Sequence, residues 1–205
     1  AFFDIDDTIY DGKVIFDIIH YQIKLGNINS SVWDDIKKEL VKYKTKQQAY
    51  SNAANNALKI IATSLKGINY KKLQQDTINY FENNSDKFFN YFSKILPKLK
   101  KTHDIYFVTA GIKSLTEVLV KKYGVIGSYY SELEVENGKF TGKVLSSSAG
   151  QKSRISKLLE KQGNKNSIVI GDSENDIDML KLAQIPVCIS PNEKLLSSAK
   201  DKNWH

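Results

Sequence analysis

Four short apolar runs in this chain of 205 residues alternate with helical patterns, and this alternation restricts the fold more than any other feature. The runs are rich in Ile, Val, Phe and Tyr and stop at polar residues or glycine, which is typical of strands. They are AFFDI at 1–5, IYFVTA at 105–110, SIVIGD at 167–172 and IPVCIS at 185–190. Strands that alternate with helices usually form a parallel sheet with helices on both faces. The sequence therefore predicts an α/β fold.

Helical patterns surround the last three runs. KSLTEVLVKKYG at 113–124 and QKSRISKLLEKQG at 151–163 each end in a glycine, and we expect Gly124 and Gly163 to cap these helices. ENDIDMLKLA at 174–183 follows the third run. Asn137-Gly138 lies between two alternating runs within 129–145, which is a strong signal for a two-residue hairpin.

A long helical stretch interrupts this alternation between the first and second runs. It contains three amphipathic patterns, and Ser31 is the predicted N-cap of the first. The patterns are SVWDDIKKELVKY at 31–43, AYSNAANNALKIIATSL at 49–65 and YKKLQQDTINYFENNSDKFFNYFSKI at 70–95. A crossover within a compact sheet rarely needs so much chain. We therefore predict a core domain of residues 1–12 and 97–205, with a helical domain of residues 13–96 inserted into it.

Charge and composition restrict the possible partners. The net charge is +7, but Arg154 is the single arginine and the lysines are spread along the chain, which is typical of a solvated surface. A surface that reads nucleic acid would favour arginine, so the pattern argues against nucleic-acid binding. No apolar run reaches the roughly 18 residues of a membrane span, and no signal-peptide pattern opens the chain. We therefore expect a cytoplasmic protein. Because Ala1 lies almost inside the first strand, we also expect the native chain to begin before Ala1.

Polar residues follow each strand at the end where ligands bind in open α/β sheets. Carboxylate oxygens there suit Mg²⁺, whereas threonine, lysine and free backbone N–H groups suit a phosphate. The residues concerned are Asp4, Asp6, Thr8, Thr109, Ala110, Gly111, Lys152, Gly171, Asp172, Ser173, Asn175 and Asp176. The acidic cluster would thus be neutralised by a divalent cation, a lysine and a phosphoryl group, and this charge balance points to phosphoryl transfer.

These motifs resemble those of the haloacid dehalogenase superfamily of phosphohydrolases. DIDDT at 4–8, a strand that ends in Thr109, then Lys152 and GDSEND at 171–176 follow one another in the order that the superfamily shows. The motifs anchor roughly residues 1–10 and 100–190. The resemblance implies a Rossmann-like core, with the helical insert in the position of the superfamily's cap. ELEVENGKFTGKV and GDSENDIDML further resemble the phosphoserine phosphatase-like branch.

The resemblance implies a role for each carboxylate. Asp4 would be the nucleophile that forms an aspartyl-phosphate, and Asp6 would be the general acid and then the base. Asp172 would bind Mg²⁺ together with Asp4 and the backbone carbonyl of Asp6. Asp176 would orient Lys152 or a metal-bound water.

The remaining motif residues would bind the substrate. By the same resemblance, Thr109 and Lys152 would hold the phosphoryl oxygens. Thr8 would shape the loop and steady Asp6. The other predicted substrate-binding positions are Ala110, Gly111, Asn175 and Lys13. Taken singly, each of these residues also has an ordinary structural explanation.

Lys13 marks a departure from the phosphoserine phosphatases. A glutamate of that branch that reads the substrate ammonium lines up, by simple counting, with Lys13. The cap arginine that reads the carboxylate has no counterpart here. We therefore expect a substrate other than phosphoserine, with an anionic or neutral leaving group, unless Lys13 simply points into solvent. Substrate choice is expected to reside on the cap, in residues such as Tyr21, Tyr50 and Asn55, and the cap is expected to move on hinges at residues 10–13 and Pro97.

The sequence thus predicts a Mg²⁺-dependent phosphatase that hydrolyses a small phosphomonoester through an aspartyl-phosphate. A phosphotransferase or a nucleic-acid end phosphatase would use the same motifs. A binding protein on the same fold is a further alternative, although such a protein does not need the complete set of Asp4, Asp6, Lys152 and Asp172. The sequence carries no signal for the oligomeric state.

Overall fold

Six strands form one sheet in the computed structural model, which describes residues 1–162 and 166–205. The strands are β1 Phe2–Phe3, β2 Tyr106–Ile112, β3 Gly127–Glu136, β4 Lys139–Ser146, β5 Ile168–Gly171 and β6 Ile185–Cys188. Their order is β4-β3-β2-β1-β5-β6, and every neighbouring pair is parallel except β3 with β4. The predicted α/β fold with a mainly parallel sheet is confirmed.

The helices in this part of the chain are α1 Val14–Lys24, α2 Ser31–Lys44, α3 Tyr50–Ser64, α4 Tyr70–Asn83, α5 Asn90–Leu99, α6 Lys113–Tyr123, α7 Ser156–Gln162, α8 Ile177–Leu180 and α9 Glu193–Lys202. None of the helices in the described ranges is long and apolar enough to cross a membrane. The predicted cap of α6 is confirmed, since Gly124 has a φ of 55° in the left-handed region. Gly163, the other predicted cap, lies outside the described residues.

The central strand is shorter than predicted. β1 covers Phe2–Phe3 instead of residues 1–5, although the Asp4 N–H still donates to Ile170 of β5 at 2.9 Å. Directly afterwards the carbonyl of Ile5 accepts hydrogen bonds from the N–H groups of Thr8, Ile9 and Tyr10. This tight loop turns the chain away from the sheet towards α1, and it holds the first acidic motif at the carboxyl end of β1.

The predicted hairpin joins β3 to β4. Asn137 and Gly138 have φ values of 50° and 75°, as a two-residue turn of type I′ requires. The hairpin also pairs with the loop between α3 and α4. The Gly67 N–H donates to the Phe140 carbonyl at 2.8 Å, and the Phe140 N–H donates to the Ile68 carbonyl at 3.0 Å. The helical insert is therefore joined to the sheet by backbone hydrogen bonds as well as by its two chain connections.

Three predictions on helices are corrected. The pattern at 70–95 is not one continuous helix, because a 3₁₀ turn at Ser85–Lys87 separates α4 from α5. The pattern at 174–183 forms a 3₁₀ turn at Glu174–Asp176 and the short helix α8. Ser31 is the first residue of α2, and its N–H donates to the side chain of Asn29 instead of Ser31 capping the helix itself.

Helix α5 packs against the sheet. The Phe92 ring contacts the Phe3 ring edge to face, with the ring centroids 5.1 Å apart, and also lies beside Phe107 of β2. Pro97, the second predicted hinge residue, lies inside α5 instead of at a connection between elements. The predicted domain boundary at 96/97 therefore falls within this helix, and both domain boundaries remain predictions.

Glu39 links α2 to α3 within the insert. Its carboxylate accepts hydrogen bonds from Lys42 at 2.5 Å, Gln48 at 3.0 Å and Asn56 at 2.8 Å. The Lys42 ammonium, followed by the Asn56 and Gln48 amides, lowers the pKa of Glu39 from 4.5 to about 2.

A carboxyl whose pKa is lowered by folding stabilises the folded state above its unfolded pKa, and this contribution is lost as the pH falls towards the folded pKa. We therefore expect Glu39→Gln to reduce the free energy of unfolding more at about pH 5.5 than at about pH 3. Urea unfolding at the two pH values measures this difference. Glu82→Gln, on the exposed part of α4, controls for the change in net charge. An equal effect of Glu39→Gln at both pH values would contradict the expected contribution.

Candidate active site

A buried lysine joins two carboxylates where the central strands end. The Lys152 ammonium lies 2.5 Å from Oδ1 of Asp4 and 2.5 Å from Oδ1 of Asp176. Asp4 follows β1, Asp176 ends the 3₁₀ turn after β5, and Lys152 begins the 3₁₀ turn before α7. Lys152 and Asp4 are 9% and 3% exposed, and Asp176 is fully buried, so water screens these charges little.

Burial and charge shift the pKa values of this group in opposing ways. Burial alone would lower the pKa of Lys152, but the carboxylates of Asp176 and Asp4 outweigh it and raise that pKa above its ordinary value. Burial raises the pKa of Asp4 well above its usual range, although the Lys152 ammonium opposes the shift. Lys152 is therefore held in its charged form next to carboxylates that would otherwise be unpaired.

Asp172 completes an acidic cluster. One carboxylate oxygen each of Asp4, Asp172 and Asp176 lies within 4.8 Å of the other two. Burial, followed by the Asp176 carboxylate, raises the pKa of Asp172 to about 6, although the nearby Lys13 ammonium opposes the shift. Three anionic oxygen donors at this spacing fit a hard divalent cation such as Mg²⁺. The carboxylate of Asp6 does not belong to this cluster, and the predicted role of its backbone carbonyl as a ligand remains a prediction.

Thr8 faces a different carboxylate from the one expected. Its hydroxyl lies 3.4 Å from Oδ2 of Asp4 and 3.3 Å from Oδ1 of Asp172, and it is fully buried. The Asp6 carboxylate, which Thr8 was expected to steady, instead accepts a hydrogen bond from the N–H of Val14 at 2.8 Å. The first turn of α1 therefore positions Asp6, whereas Thr8 joins the two ends of the acidic cluster.

The side chains around Asp6 form the mouth of the site. The Lys13 ammonium lies 2.8 Å from Asp7, and the Asp7 carboxylate also accepts from the Gly12 N–H at 2.9 Å. Asp7 has a φ of 63°, in the left-handed region that single Asp residues adopt in turns and loops. Lys13 is thus paired at the mouth of the site, next to Asp6, instead of pointing freely into solvent.

The end of β2 supplies the next predicted residues. Thr109 is 2% exposed, and its hydroxyl accepts a hydrogen bond from the N–H of Gly111 at 2.9 Å. Ala110 and Gly111 lie within β2, in the part where its pairing register with β3 shifts between Val108 and Ile112. Asn175 lies half-buried in the 3₁₀ turn after β5. The roles of these four residues towards a phosphoryl group remain predictions.

A cavity of about 350 Å³ opens next to Asp6, between the end of β2 and helices α1 to α3. Lys13, Tyr50, Ala110 and Gly111 line it together with Asp6. Of the cap residues named from the sequence, Tyr50 therefore lies at the site. Tyr21 lies elsewhere, since its ring packs at a tilt against that of Tyr80, with the centroids 5.4 Å apart, beside a different cavity. Asn55 is not among the described residues that line the cavity at Asp6.

The family model of haloacid dehalogenase-like hydrolases matches residues 1–181. The chain belongs to this family. The resemblance noted in its motifs is thereby confirmed.

Two phosphoserine phosphatases are similar in sequence to this chain. A phosphoserine phosphatase of Archaeoglobus fulgidus is 22% identical over 199 residues, which are 94% of this chain and 53% of that protein. A phosphoserine phosphatase of Mycobacterium tuberculosis is 27% identical over 105 residues, which are 49% of this chain and 34% of that protein. The chain thus spans about half or less of the length of these curated relatives.

Solved structures share the fold. A Bordetella pertussis protein of unknown function superposes with a TM-score of 0.83 and 18% identity, over 100% of this chain and 96% of that one. A phosphoserine phosphatase solved as an analogue of its phospho-aspartyl intermediate gives a TM-score of 0.62 and 18% identity, over 98% of this chain and 96% of that one. Both likenesses support the family's fold for this chain.

The contacts that three residues make around the family motifs were not predicted. The Tyr91 hydroxyl of α5 donates to the Thr8 carbonyl at 2.6 Å and supports the first acidic loop. The Ser173 N–H and hydroxyl donate to Oδ2 of Asp176, and the Tyr43 hydroxyl of α2 donates to Glu174 at 3.0 Å. Ser173 stood within the quoted motif, whereas nothing in the sequence pattern links Tyr91 or Tyr43 to the site, because these contacts join distant parts of the chain.

Gly171, the last residue of β5, leaves room for Asp176. A Cβ atom at Gly171 would lie 2.5 Å from Cγ of Asp176 and 2.6 Å from its Cβ. We expect Gly171→Ala to displace Asp176 from Lys152 and to lower the free energy of unfolding by about 1–3 kcal/mol. Urea unfolding measures the loss.

Gly127→Ala is the matched control for this prediction. A Cβ atom at Gly127, which also lies in a strand, would make an ordinary 3.7 Å contact with the Tyr106 ring. If Gly171→Ala were no more destabilising than Gly127→Ala, Asp176 would not be confined as the structure indicates.

Proposed function

We propose that this chain is a phosphatase that hydrolyses a small phosphomonoester through a phosphorylated Asp4. The observation that carries the proposal is the buried group of Asp4, Lys152 and Asp176, which lies beside Asp172 and near the mouth where Asp6 is held. The family to which the chain belongs and the names of its relatives support the same activity.

Asp4 and Asp6 would divide the chemistry between them. A carboxylate oxygen of Asp4 forms a bond to phosphorus while the bond to the alcohol oxygen breaks, and Asp6 gives that oxygen its proton. Water then attacks phosphorus, Asp6 takes the proton of the water, and the bond to Asp4 breaks to release inorganic phosphate. Burial raises the pKa of Asp6, although the Lys13 ammonium opposes the shift, and a raised pKa favours the protonated form that the first step needs.

The other residues would position charge. Lys152, the Thr109 hydroxyl and the backbone N–H of Ala110 would bind phosphoryl oxygens, while Asp176 keeps Lys152 in place. Asp4 and Asp172, together with Asp176 or the Asp6 carbonyl, would hold Mg²⁺. A bound Mg²⁺ would supply electrostatic stabilisation of the phosphoryl charge. The cytoplasmic location predicted from the sequence stays a prediction.

Phosphate release from a panel of phosphomonoesters tests the proposal. We expect release in the presence of Mg²⁺ and its loss when a chelator is added. Calorimetric titration of Mg²⁺ in parallel shows whether the metal binds. Metal binding without release from any ester would favour the alternative of a non-catalytic binding protein, and release that the chelator leaves unchanged would exclude the metal-dependent mechanism.

A further inference from the structure

We propose that the site takes phosphomonoesters of apolar alcohols, with the alcohol part lying in the cavity beneath helices α1 to α3. This inference rests on the proposed phosphatase activity and specifies its substrate class. Asp6, which would protonate the alcohol oxygen, lines the same cavity as the helices of the insert. An alcohol that leaves phosphorus with a proton from Asp6 would therefore lie in this space.

The part of the cavity wall that α1 to α3 contribute is mainly apolar. Its apolar side chains come from α1, α2 and α3, among them Phe16, Leu40, Ala54, Ala57, Leu58 and Ile61. Ala57, Leu58 and Ile61 are at most 5% exposed, so this wall is part of the packed insert. A polar group placed against it would lose its water without gaining a hydrogen bond, which costs free energy.

The charges at the cavity argue against a cationic alcohol part. Among the described residues that line it, Asp6 is the single carboxylate, whereas Lys13 and Lys44 contribute cations. Lys13 lies next to the position where the ester oxygen would be protonated. An ammonium group on the substrate would therefore meet like charge, whereas a neutral alcohol part would not.

The volume suits an alcohol of moderate size. An apolar cavity of about 150 Å³ lined by aliphatic and aromatic side chains is enough to bind benzene. The present cavity of about 350 Å³ is more than twice as large. A short alkyl chain or a substituted ring would therefore fit into it.

Three esters of nearly equal size test whether the site prefers an apolar, a polar or a cationic alcohol part. They are propyl phosphate, 2-hydroxyethyl phosphate and 2-aminoethyl phosphate. We expect kcat/KM for the propyl ester to exceed that for the hydroxyethyl ester by at least about tenfold, because the terminal hydroxyl would be buried against an apolar wall. The aminoethyl ester should be the poorest substrate. Along the series methyl, ethyl and propyl phosphate, kcat/KM should rise about fourfold per methylene.

Substitutions in the cavity wall test whether this wall causes the preference for apolar esters. Ala54→Phe places a ring at a half-buried position on the cavity side of α3 and should abolish the rise along the alkyl series. Asn52→Phe, at an exposed position of the same helix, is the matched control and should leave the rise unchanged. Leu40→Gln provides a second test if Ala54→Phe does not fold, and it should reduce the ratio of propyl to hydroxyethyl ester.

The outcomes distinguish this inference from the proposed function. Hydrolysis that is equal for the three esters, or best for a polar one, would overturn the apolar substrate class and leave the phosphatase activity standing. Absence of hydrolysis for every ester would overturn the proposed function. In that case calorimetric binding of methyl-, ethyl- and propylphosphonate still decides the inference, since affinity that does not rise with chain length would contradict it.

Discussion

Replacing Asp4 by asparagine is expected to lower kcat for phosphomonoester hydrolysis by at least about a thousandfold, because the amide cannot form the phosphorylated intermediate. The substitution keeps the size of the side chain, and the amide oxygen can still accept the hydrogen bond from Lys152. The fold should therefore persist, with a thermal unfolding midpoint close to that of the unchanged protein. Phosphate release at saturating Mg²⁺ measures the loss.

Asp201→Asn, at an exposed position of α9, is the control for the loss of one negative charge. An acid quench with phosphate-labelled substrate adds a direct readout, since label should remain on the unchanged protein and on Asp201→Asn but not on Asp4→Asn. Retention of more than about a tenth of kcat by a folded Asp4→Asn protein would show that Asp4 is not the nucleophile.

Replacing Lys152 by methionine should be the most destabilising single substitution considered for this chain. It would leave the carboxylates of Asp4 and Asp176 buried with no cation between them. Breaking a buried ion pair in this way typically costs about 3–5 kcal/mol. Methionine retains most of the apolar stem, so the loss reports chiefly on the charge. Urea unfolding at neutral pH with a chelator present measures it, and phosphate release should be lost as well.

Lys157→Met serves as the control, because Lys157 is an exposed lysine in the helix that follows Lys152. Its effect should resemble that of an ordinary surface substitution, within about 0.5 kcal/mol. A loss below about 1 kcal/mol for Lys152→Met would be typical of an exposed ion pair. Such a result would contradict the enclosed arrangement of Lys152, Asp4 and Asp176.

The order of the motifs was enough to predict which residues meet, because parallel strands bring their carboxyl ends to one edge of the sheet. Asp4, Lys152, Asp172 and Asp176 are gathered there as expected. The partners of single atoms were less predictable. Thr8 contacts Asp4 and Asp172 instead of steadying Asp6, because the loop after β1 is closed by three hydrogen bonds to Ile5.

The elements that were predicted well are those in which a particular residue type determines the backbone conformation. Asn137-Gly138 and Gly124 were recognised because their backbone conformation depends on residues that tolerate a positive φ. The division between α4 and α5 was missed, since the apolar pattern continues through the 3₁₀ turn at Ser85–Lys87. There the chain pairs with the first loop, where the Phe89 N–H donates to the Ile9 carbonyl at 3.1 Å. Because Ile9 and Phe89 are far apart in the sequence, this contact is not visible in the hydrophobic periodicity.

The hydrogen bonds of Gly67 and Ile68 to Phe140 of β4 limit which segments recombination could exchange between members of this family. A donor insert joined only at its two chain ends would leave the N–H and carbonyl of Phe140, which is 3% exposed, without the partners they have here. An unpaired buried backbone group costs about 1–3 kcal/mol. A chimaera should therefore take the hairpin Gly127–Ser146 from the same parent as the helical insert. The segment that must be exchanged to transfer substrate preference is therefore longer than the helical insert alone.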